Sequence, residues 1–459
     1  MTDSAGPAPV SPLVRHANLA AVALLAVMAV VCLVSVLQLP VGDIKADYWD
    51  FSAYWHAGEA MNQQGGGIYE LQETVLREEH GKPVEIGPYI YPPPLAVFFG
   101  ALAWLPRTAA LVVWECVLWA AMAGSLALAA SLARPHLAGR LPMFLLPAAL
   151  VVAGPFFADV FKSNVNSLVL FSSLAGLWLV ERRRPLSGGM ALAGAAFLKV
   201  IPVVLLAWLV MNRQWRALAG WALGALICVH LPLLWTVPHY GPVEGYRRTA
   251  ALNLEFVQLT AGPRLQKQEA AGVGGVSHRN AAINAALARL FVKDSQMFML
   301  PWPDRPDKGP LVTELNPRAV SLAAMGIAGT MFVAGLALAW RRRRDWIERL
   351  AGAGLIFTPA MLGNLLCWPY HMVSLLLLAC PMAVLALNRG RARVPAAASL
   401  VLMVLAATLM FRIEAWWFRI WGIQTLCVML AWAAAGVAVL RREAPEPGAQ
   451  PTGTVAATS

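Results

Sequence analysis

A chain of 459 residues that is 59% hydrophobic and only 13% charged has too few polar groups to cover a soluble globule, and its apolar runs approach the ~20 residues that cross a hydrocarbon core. The 36 Lys and Arg against 25 Asp and Glu, a formal charge of +11, would suit nucleic acid if they formed one patch. The arginines instead fall in short clusters beside apolar runs, as cytoplasmic flanking charges do, and the six cysteines stand singly, without the close pairs of a zinc or redox site. The cysteines read as small core residues.

The first run, Ala17 to Leu39, follows Arg15 and His16 and is too long for a signal-peptide core, so it reads as a first span that starts inside. Next comes "DYWDFSAYWHAGEAMNQQGGGIYE", Asp47 to Glu70, rich in acids, aromatics and glycines. The stretch from Pro92 to Pro106 has only about thirteen residues between its proline clusters, short of a crossing, and is predicted to form a helix against the outer surface. Spans are expected at Ala109 to Leu132, Leu141 to Phe157, Leu168 to Val180, Trp215 to Trp235, Ala319 to Trp340, Trp346 to Leu366, Met372 to Leu387, Pro395 to Met410 and Phe418 to Leu440. The run from Gly188 to Met211 would place Lys199 mid-membrane beside the helix-breaking Pro202, so it reads as two half-spans that meet there.

This reading puts every basic cluster inside: Arg134/Arg140, Arg182 to Arg184, Arg213/Arg216, Arg341 to Arg344, Arg389/Arg391/Arg393 and Arg441/Arg442. The expected fold is an all-α integral-membrane bundle of twelve spans with both ends cytoplasmic, one domain over 1–442, and a disordered cytoplasmic tail over 443–459. Its two large outer loops are 41–108, with helices lying beside the membrane, and 238–318, in which Ile283, Leu287 and Leu290 recur at the spacing of a surface helix. Gly65 and Ser277 then face outside, and Arg183 and Arg342 inside.

No P-loop or dinucleotide fingerprint occurs, no strand is expected, and the inner loops are too short for a soluble catalytic domain. Polar residues that are costly near lipid gather instead at the outer ends of the spans: Asp47, Asp50, Asp159, Lys162, Asn164, Asn166, Lys199, Asn364, Trp368, Tyr370, His371, Arg412 and Glu414. A carboxylate in the first outer loop facing lysines and a histidine from later loops is the pattern for group transfer from an anionic lipid, the acid activating a hydroxyl and the cations holding a phosphate.

"DFSAYWHAGEAMNQQGGGIYE" followed by "YIYPPPLAVFF" resembles the Asp-x-x-x-Tyr, Gly-x-Tyr and Tyr-Pro-Pro-Leu blocks of glycosyltransferase family 87. The resemblance continues in order through "SNVNSLVLFSSLAGLWLVERRR", "LAGAAFLKVIP" and "CWPYHMVSLLLL", over Asp47 to Leu387. It implies a GT-C-type bundle that transfers a hexosyl residue, mannose in that family, from a polyprenyl phosphate to an acceptor hydroxyl. The reaction would invert the anomeric centre at the periplasmic face of the plasma (inner) membrane. It makes Asp50 and His371 the catalytic pair. Two segments depart from the family pattern: its usual Gly-Gln-x-Asn is here Ser163–Asn164–Val165–Asn166, and its Asn-Gln-Ser segment is Asn280–Ala281–Ala282.

The residues bear a second reading beside the chemical one. Asp50 suits a helix N-cap, Asp47 either orients Asp50 or caps, and His371, with Trp368 and Tyr370, suits an interfacial aromatic belt. Lys199 fits a donor phosphate or snorkels to the interface; Lys162 and Arg412 fit the same task, Asn166 a sugar or backbone, Tyr54 and Trp368 a sugar face, and Tyr91 with its prolines the scaffold. The implied partners are a polyprenyl-phosphate sugar, a lipid or glycan acceptor and membrane lipid, with no cofactor and no metal cage. Rival classes are an O-antigen ligase or polymerase, which would take a lipid diphosphate, and a lipid-linked sugar transporter, which would be expected to show internal repeats.

Overall fold

The computed structural model describes residues 12–37, 49–70, 75–79, 82–261, 280–292, 312–364, 366–411 and 421–443. Asp47, Arg412 and Glu414, together with the tail over 444–459, lie outside the described residues. The elements in order are α1 (Pro12–Leu37), α2 (Trp49–Gln64), β1 (Val75–Glu79), β2 (Lys82–Ile86), α3 (Pro93–Leu102), α4 (Arg107–Ala133), α5 (Leu141–Phe161), α6 (Asn166–Glu181) and α7 (Pro185–Leu198). A tight turn (Ile201–Val204) leads to α8 (Leu205–Met211), α9 (Trp215–His230), α10 (Leu233–Tyr240), α11 (Pro242–Glu255), α12 (Ile283–Phe291), α13 (Pro317–Arg341) and α14 (Trp346–Leu362). A 3-10 stretch (Pro369–Leu375) then enters α15 (Leu376–Leu387), followed by α16 (Arg393–Phe411) and α17 (Ile423–Arg441).

Among the described residues, 6 helical segments are long and apolar enough to cross a bilayer: Arg107–His136, Leu141–Phe161, Trp215–Tyr240, Pro317–Arg341, Pro369–Leu387 and Ile423–Arg441. Apolar side chains on them such as Val112, Leu226, Leu322 and Val333 point outward, as a lipid-facing surface requires. The inward faces form a continuous core through α4 to α6 and α13 to α17. A second core is aromatic. In it Phe51 and Tyr54 of α2, Tyr91 just before α3 and Phe99 of α3 gather with Trp114 of α4, with Tyr54 to Tyr91 at 4.9 Å and Phe99 to Trp114 at 5.0 Å between ring centroids. Such pairs each add about 0.5–1.5 kcal/mol beyond the area they bury.

Three expectations change. The first outer loop contains a strand pair: β1 and β2 form an antiparallel hairpin with Val75 opposite Ile86 and Glu79 opposite Lys82. Val84 and Ile86 flank Glu85 with the period of two that a strand needs. Helix α12 is found where the periodicity placed it, but it is packed inward, with Ile283 and Arg289 buried. Helix α11 is an addition, because Arg247, Arg248 and Asn253 interrupt its apolar pattern. Gly241, at φ 77°, turns the chain so that α11 packs back along α10, with Thr236 and Thr249 hydroxyls 2.9 Å apart.

The helix break read from the sequence at Lys199 is present. Helix α7 stops at Leu198, Lys199 is extended (φ −157°, ψ 133°), and helical structure resumes at Ile201. Pro202 has no N–H to continue the ladder. Glycines let α7 wedge between its neighbours. A Cβ on Gly188 would sit 2.7 Å from the Gly176 oxygen of α6, and one on Gly189 would sit 1.8 Å from the Ala217 oxygen of α9. This close approach packs the first turn of α7 against α6 and α9; at the other end of α7, Lys199 reaches the start of α6 through Asn166.

Gly189→Val is therefore expected to force α7 away from α9 and to lower stability by about 1–3 kcal/mol. Gly194, on the same helix, has no atom within 4 Å of the point where a Cβ would stand, so Gly194→Ala is expected to be neutral or slightly stabilising. Thermal unfolding of the two purified variants in detergent makes the comparison, and equal midpoints would show that the α7–α9 contact is not tight.

Candidate active site

The site is built where α5 hands over to α6. Asp159, in the last turn of α5, is fully buried and reaches across the turn to cap α6. Its Oδ2 accepts from the Ser167 amide at 2.7 Å and the Ser167 hydroxyl at 2.5 Å, and its Oδ1 accepts from the Asn166 amide at 3.3 Å and from Asn166 Nδ2 at 2.8 Å. A carboxylate here meets both the free N–H groups and the positive end of the α6 dipole. With four donors already on it, Asp159 is a structural acid and not a reacting one.

The turn itself requires Ser163 at φ 50°, a region where a side chain is strained. Trp114 Nε1 holds its carbonyl at 2.8 Å, and its hydroxyl donates to Glu115 Oε1 at 2.5 Å. Glu115 is an acid inside α4 whose place in an apolar run was itself a signal. The serine stands where the resemblance has glycine, and the positive φ explains why glycine is usual there.

From this turn two amides face the centre. Asn164 Nδ2 donates to Asp50 Oδ2 at 2.8 Å and to the Tyr91 hydroxyl at 3.2 Å. Asn166 Nδ2 also donates to Asn164 Oδ1 at 2.7 Å, while Asn166 Oδ1 accepts from Lys199 Nζ at 2.8 Å. Lys199 lies 3.5 Å from Asn164 Oδ1 and 2.9 Å from His371 Nε2. Its ammonium also stands over the rings of Tyr91 and Tyr370, at 5.8 and 5.7 Å from their centroids.

Asp50 sits inside the first turn of α2, past the cap position, and its oxygen is turned to Asn164. Burial pushes its carboxyl above the usual carboxylate range, and the Asn164 hydrogen bond, Lys199 and Lys162 oppose that shift. His371 opens the 3-10 stretch before α15, with Nδ1 3.2 Å from the Trp368 amide. The loop before it is pinned by Asn280, whose Oδ1 accepts from the Cys367 amide at 2.8 Å and the Ala282 amide at 3.0 Å. The buried Arg289 of α12 donates to the Asn280 carbonyl at 3.0 Å.

Of the residues expected from the sequence, Asp50, Tyr54, Asn166, Lys199 and His371 come together, with Lys162 within electrostatic reach of Asp50 and stacked on Phe161 at 5.6 Å. The Trp368 backbone lies beside the His371 ring. Tyr54 is buried against Tyr91. Tyr91, read as scaffold, belongs to the site, and Asn164 is its central junction. Arg412 lies outside the described residues.

A membrane-embedded helical bundle that gathers a carboxylate, an ammonium and two amides at helix ends has the make-up of a membrane enzyme. The family model for glycosyltransferase family 87 matches residues 89–369, more than half of the chain, and the chain belongs to that family. It is a membrane glycosyltransferase. No curated protein and no solved structure matches it.

The strained turn makes a testable claim. Ser163→Ala keeps the strain and removes the donor on Glu115, and is expected to cost about 1–2 kcal/mol. Ser163→Gly loses the same bond but frees the backbone, so it is expected to be more stable than Ser163→Ala by about 1 kcal/mol. Thermal unfolding reads the order; an alanine variant as stable as the glycine one would remove the strain argument.

Proposed function

We propose that this transferase moves a hexosyl residue, mannose by family resemblance, from a polyprenyl phosphate to an acceptor hydroxyl at the periplasmic face of the plasma membrane, with inversion. The observation that carries the reading is that one pair of asparagines holds Asp50 on one side and Lys199 on the other. A base and a cation held at opposite ends of one rigid unit suit an in-line displacement, in which acceptor and leaving group lie on opposite faces of the anomeric carbon.

The acceptor O–H gives its proton to Asp50 as its oxygen bonds to the anomeric carbon. The bond from that carbon to the phosphate oxygen breaks, and the electron pair leaves with the polyprenyl phosphate. Lys199 stabilises the phosphate charge, with Lys162 and Arg412 as further cations. A raised Asp50 carboxyl is a better proton acceptor than an ordinary aspartate. His371 Nε2 is engaged by Lys199 and cannot take a hydroxyl proton at the same time, which favours Asp50 as base and gives His371 the task of holding Lys199. Tyr54 and Trp368 supply sugar contacts and Asn166 orients Lys199. This reading adopts the twelve-span topology with both termini in the cytoplasm, in which the outer loops carry the site.

Asp50→Asn keeps shape and leaves donor binding intact, but is expected to lower transfer by ~10²- to 10⁴-fold. Lys199→Ala is expected to weaken donor binding, and Lys199→Arg to restore part of it. Purified variants assayed with radiolabelled polyprenyl-phosphate mannose and a crude membrane lipid extract separate the two. Near-normal turnover by Asp50→Asn would move the base to His371, and unchanged donor affinity in Lys199→Ala would remove the phosphate assignment.

A further inference from the structure

The amides of Asn164 and Asn166 are not free to choose their orientation. A carboxylate only accepts, so Asp159 requires the NH₂ of Asn166 to face it. The second hydrogen of that NH₂ goes to Asn164 Oδ1, which also accepts from the Val165 amide at 2.8 Å. Asn164 must then present its own NH₂ to Asp50 Oδ2 and the Tyr91 hydroxyl. Turning either amide over would set a carbonyl oxygen against a carboxylate and an NH₂ against the Lys199 ammonium, which are repulsive contacts in a buried site.

We propose that Asp159, Asn166 and Asn164 are positioning residues that form a directional relay, through which the α6 cap fixes how Asp50 is oriented and keeps it ionised. The relay rests on the reading of Asp50 as the base. Asn164 occupies Oδ2, so Oδ1 is the oxygen left for the acceptor hydroxyl. Hydrogen bonding to the ionised form favours that form. The other groups facing Asp50 are the Lys162 ammonium at the end of α5 and Lys199 at the α7 break, with the hydroxyls of Tyr54, Tyr91 and Tyr370 and the second carboxylate, Asp159, nearby. His371 acts on this set through Lys199. Neither lysine nor either carboxylate is altered by exchanging Asn164, so that position tests the relay against a constant charge background.

The test uses full-length protein in lipid nanodiscs and two readouts. The first is the infrared band of the protonated Asp50 carboxyl, identified by its loss in Asp50→Asn and followed against pH without turnover. The second is the acid limb of mannose transfer from polyprenyl-phosphate mannose. Asn164→Ala removes the donor on Asp50, and Asp159→Asn puts an NH₂ where only an acceptor fits, reversing the relay from a distance. Asn164→Ala is expected to move the Asp50 titration, and the acid limb with it, up by about one pH unit, since a base that has lost stabilisation of its charge protonates at higher pH; Asp159→Asn also removes a neighbouring negative charge, which acts in the opposite direction, so its upward shift is expected to be smaller. Asn164→Gln keeps an amide at that position and should bring the titration back toward the starting value. Ser167→Ala weakens the α6 cap without reversing any amide; it should lower thermal stability and leave the titration in place.

An Asp50 titration unmoved in folded Asn164→Ala would overturn the relay, as would a shift of equal size in Ser167→Ala. If Asn164→Ala does not fold, Asn164→Leu, which keeps the side-chain shape without a donor or a change of charge, carries the test. Full transfer by Asp50→Asn would instead defeat the base reading, while the infrared titration would still report whether the relay sets the carboxyl.

Discussion

An ammonium beside a hydrocarbon core must have its donors met, and much of this molecule's architecture around the site answers that demand for Lys199. The lysine sits where α7 has ended, and its partners include an amide oxygen from the start of α6, an imidazole nitrogen from the entry to α15, and two tyrosine faces. Each partner has to be delivered to within a few ångströms. The glycine wedge of α7 between α6 and α9, the Asp159 cap on α6 and the Asn280 clamp on the loop before His371 are the means of delivery. Loosening any of them would leave a half-buried charge short of partners, so packing away from the site is tied to the site.

The same demand explains the arrangement of polarity. Only acceptors suit a lysine, and only donors suit a carboxylate, so asparagine, which offers one of each, is the natural link between Asp50 and Lys199. Two asparagines in series let a carboxylate and a cation stand near each other without collapsing into a direct ion pair. A direct pair would neutralise both.

Much of this was legible in the sequence, and the reasons differ by element. The break at Lys199 could be read because a lysine and a proline inside an apolar run leave few alternatives. The α12 helix was visible as a period, but its burial was not, since Arg289 marks a solvent face in any pattern-based reading; the structure instead uses it to hold the Asn280 carbonyl. The hairpin was hidden by "LREEH", in which charge outweighs alternation, and α11 by its paired arginines. Asp50, Lys199 and His371 were each noticed as costly residues, whereas Tyr91 looked like the start of a proline segment. The role of Asp159 was out of reach, because it depends on a turn that brings residue 159 onto residues 166 and 167 and that needs Ser163 in a conformation serine seldom adopts.

The saturation of Lys199 has a further consequence for how tightly a donor is held. Because its ammonium already has an amide and an imidazole, an arriving phosphate on the proposed reading swaps places with an existing partner and does not fill an empty socket. The exchange replaces a neutral acceptor by an anionic one, so it still favours the phosphate, though by less than an unpartnered ammonium would. On that reading a polyprenyl chain would add to the retention, because it partitions into the bilayer on its own account and is concentrated there before it meets the protein. A lipid confined to two dimensions needs less affinity to be captured, and the displaced partner could return to Lys199 as the spent carrier leaves.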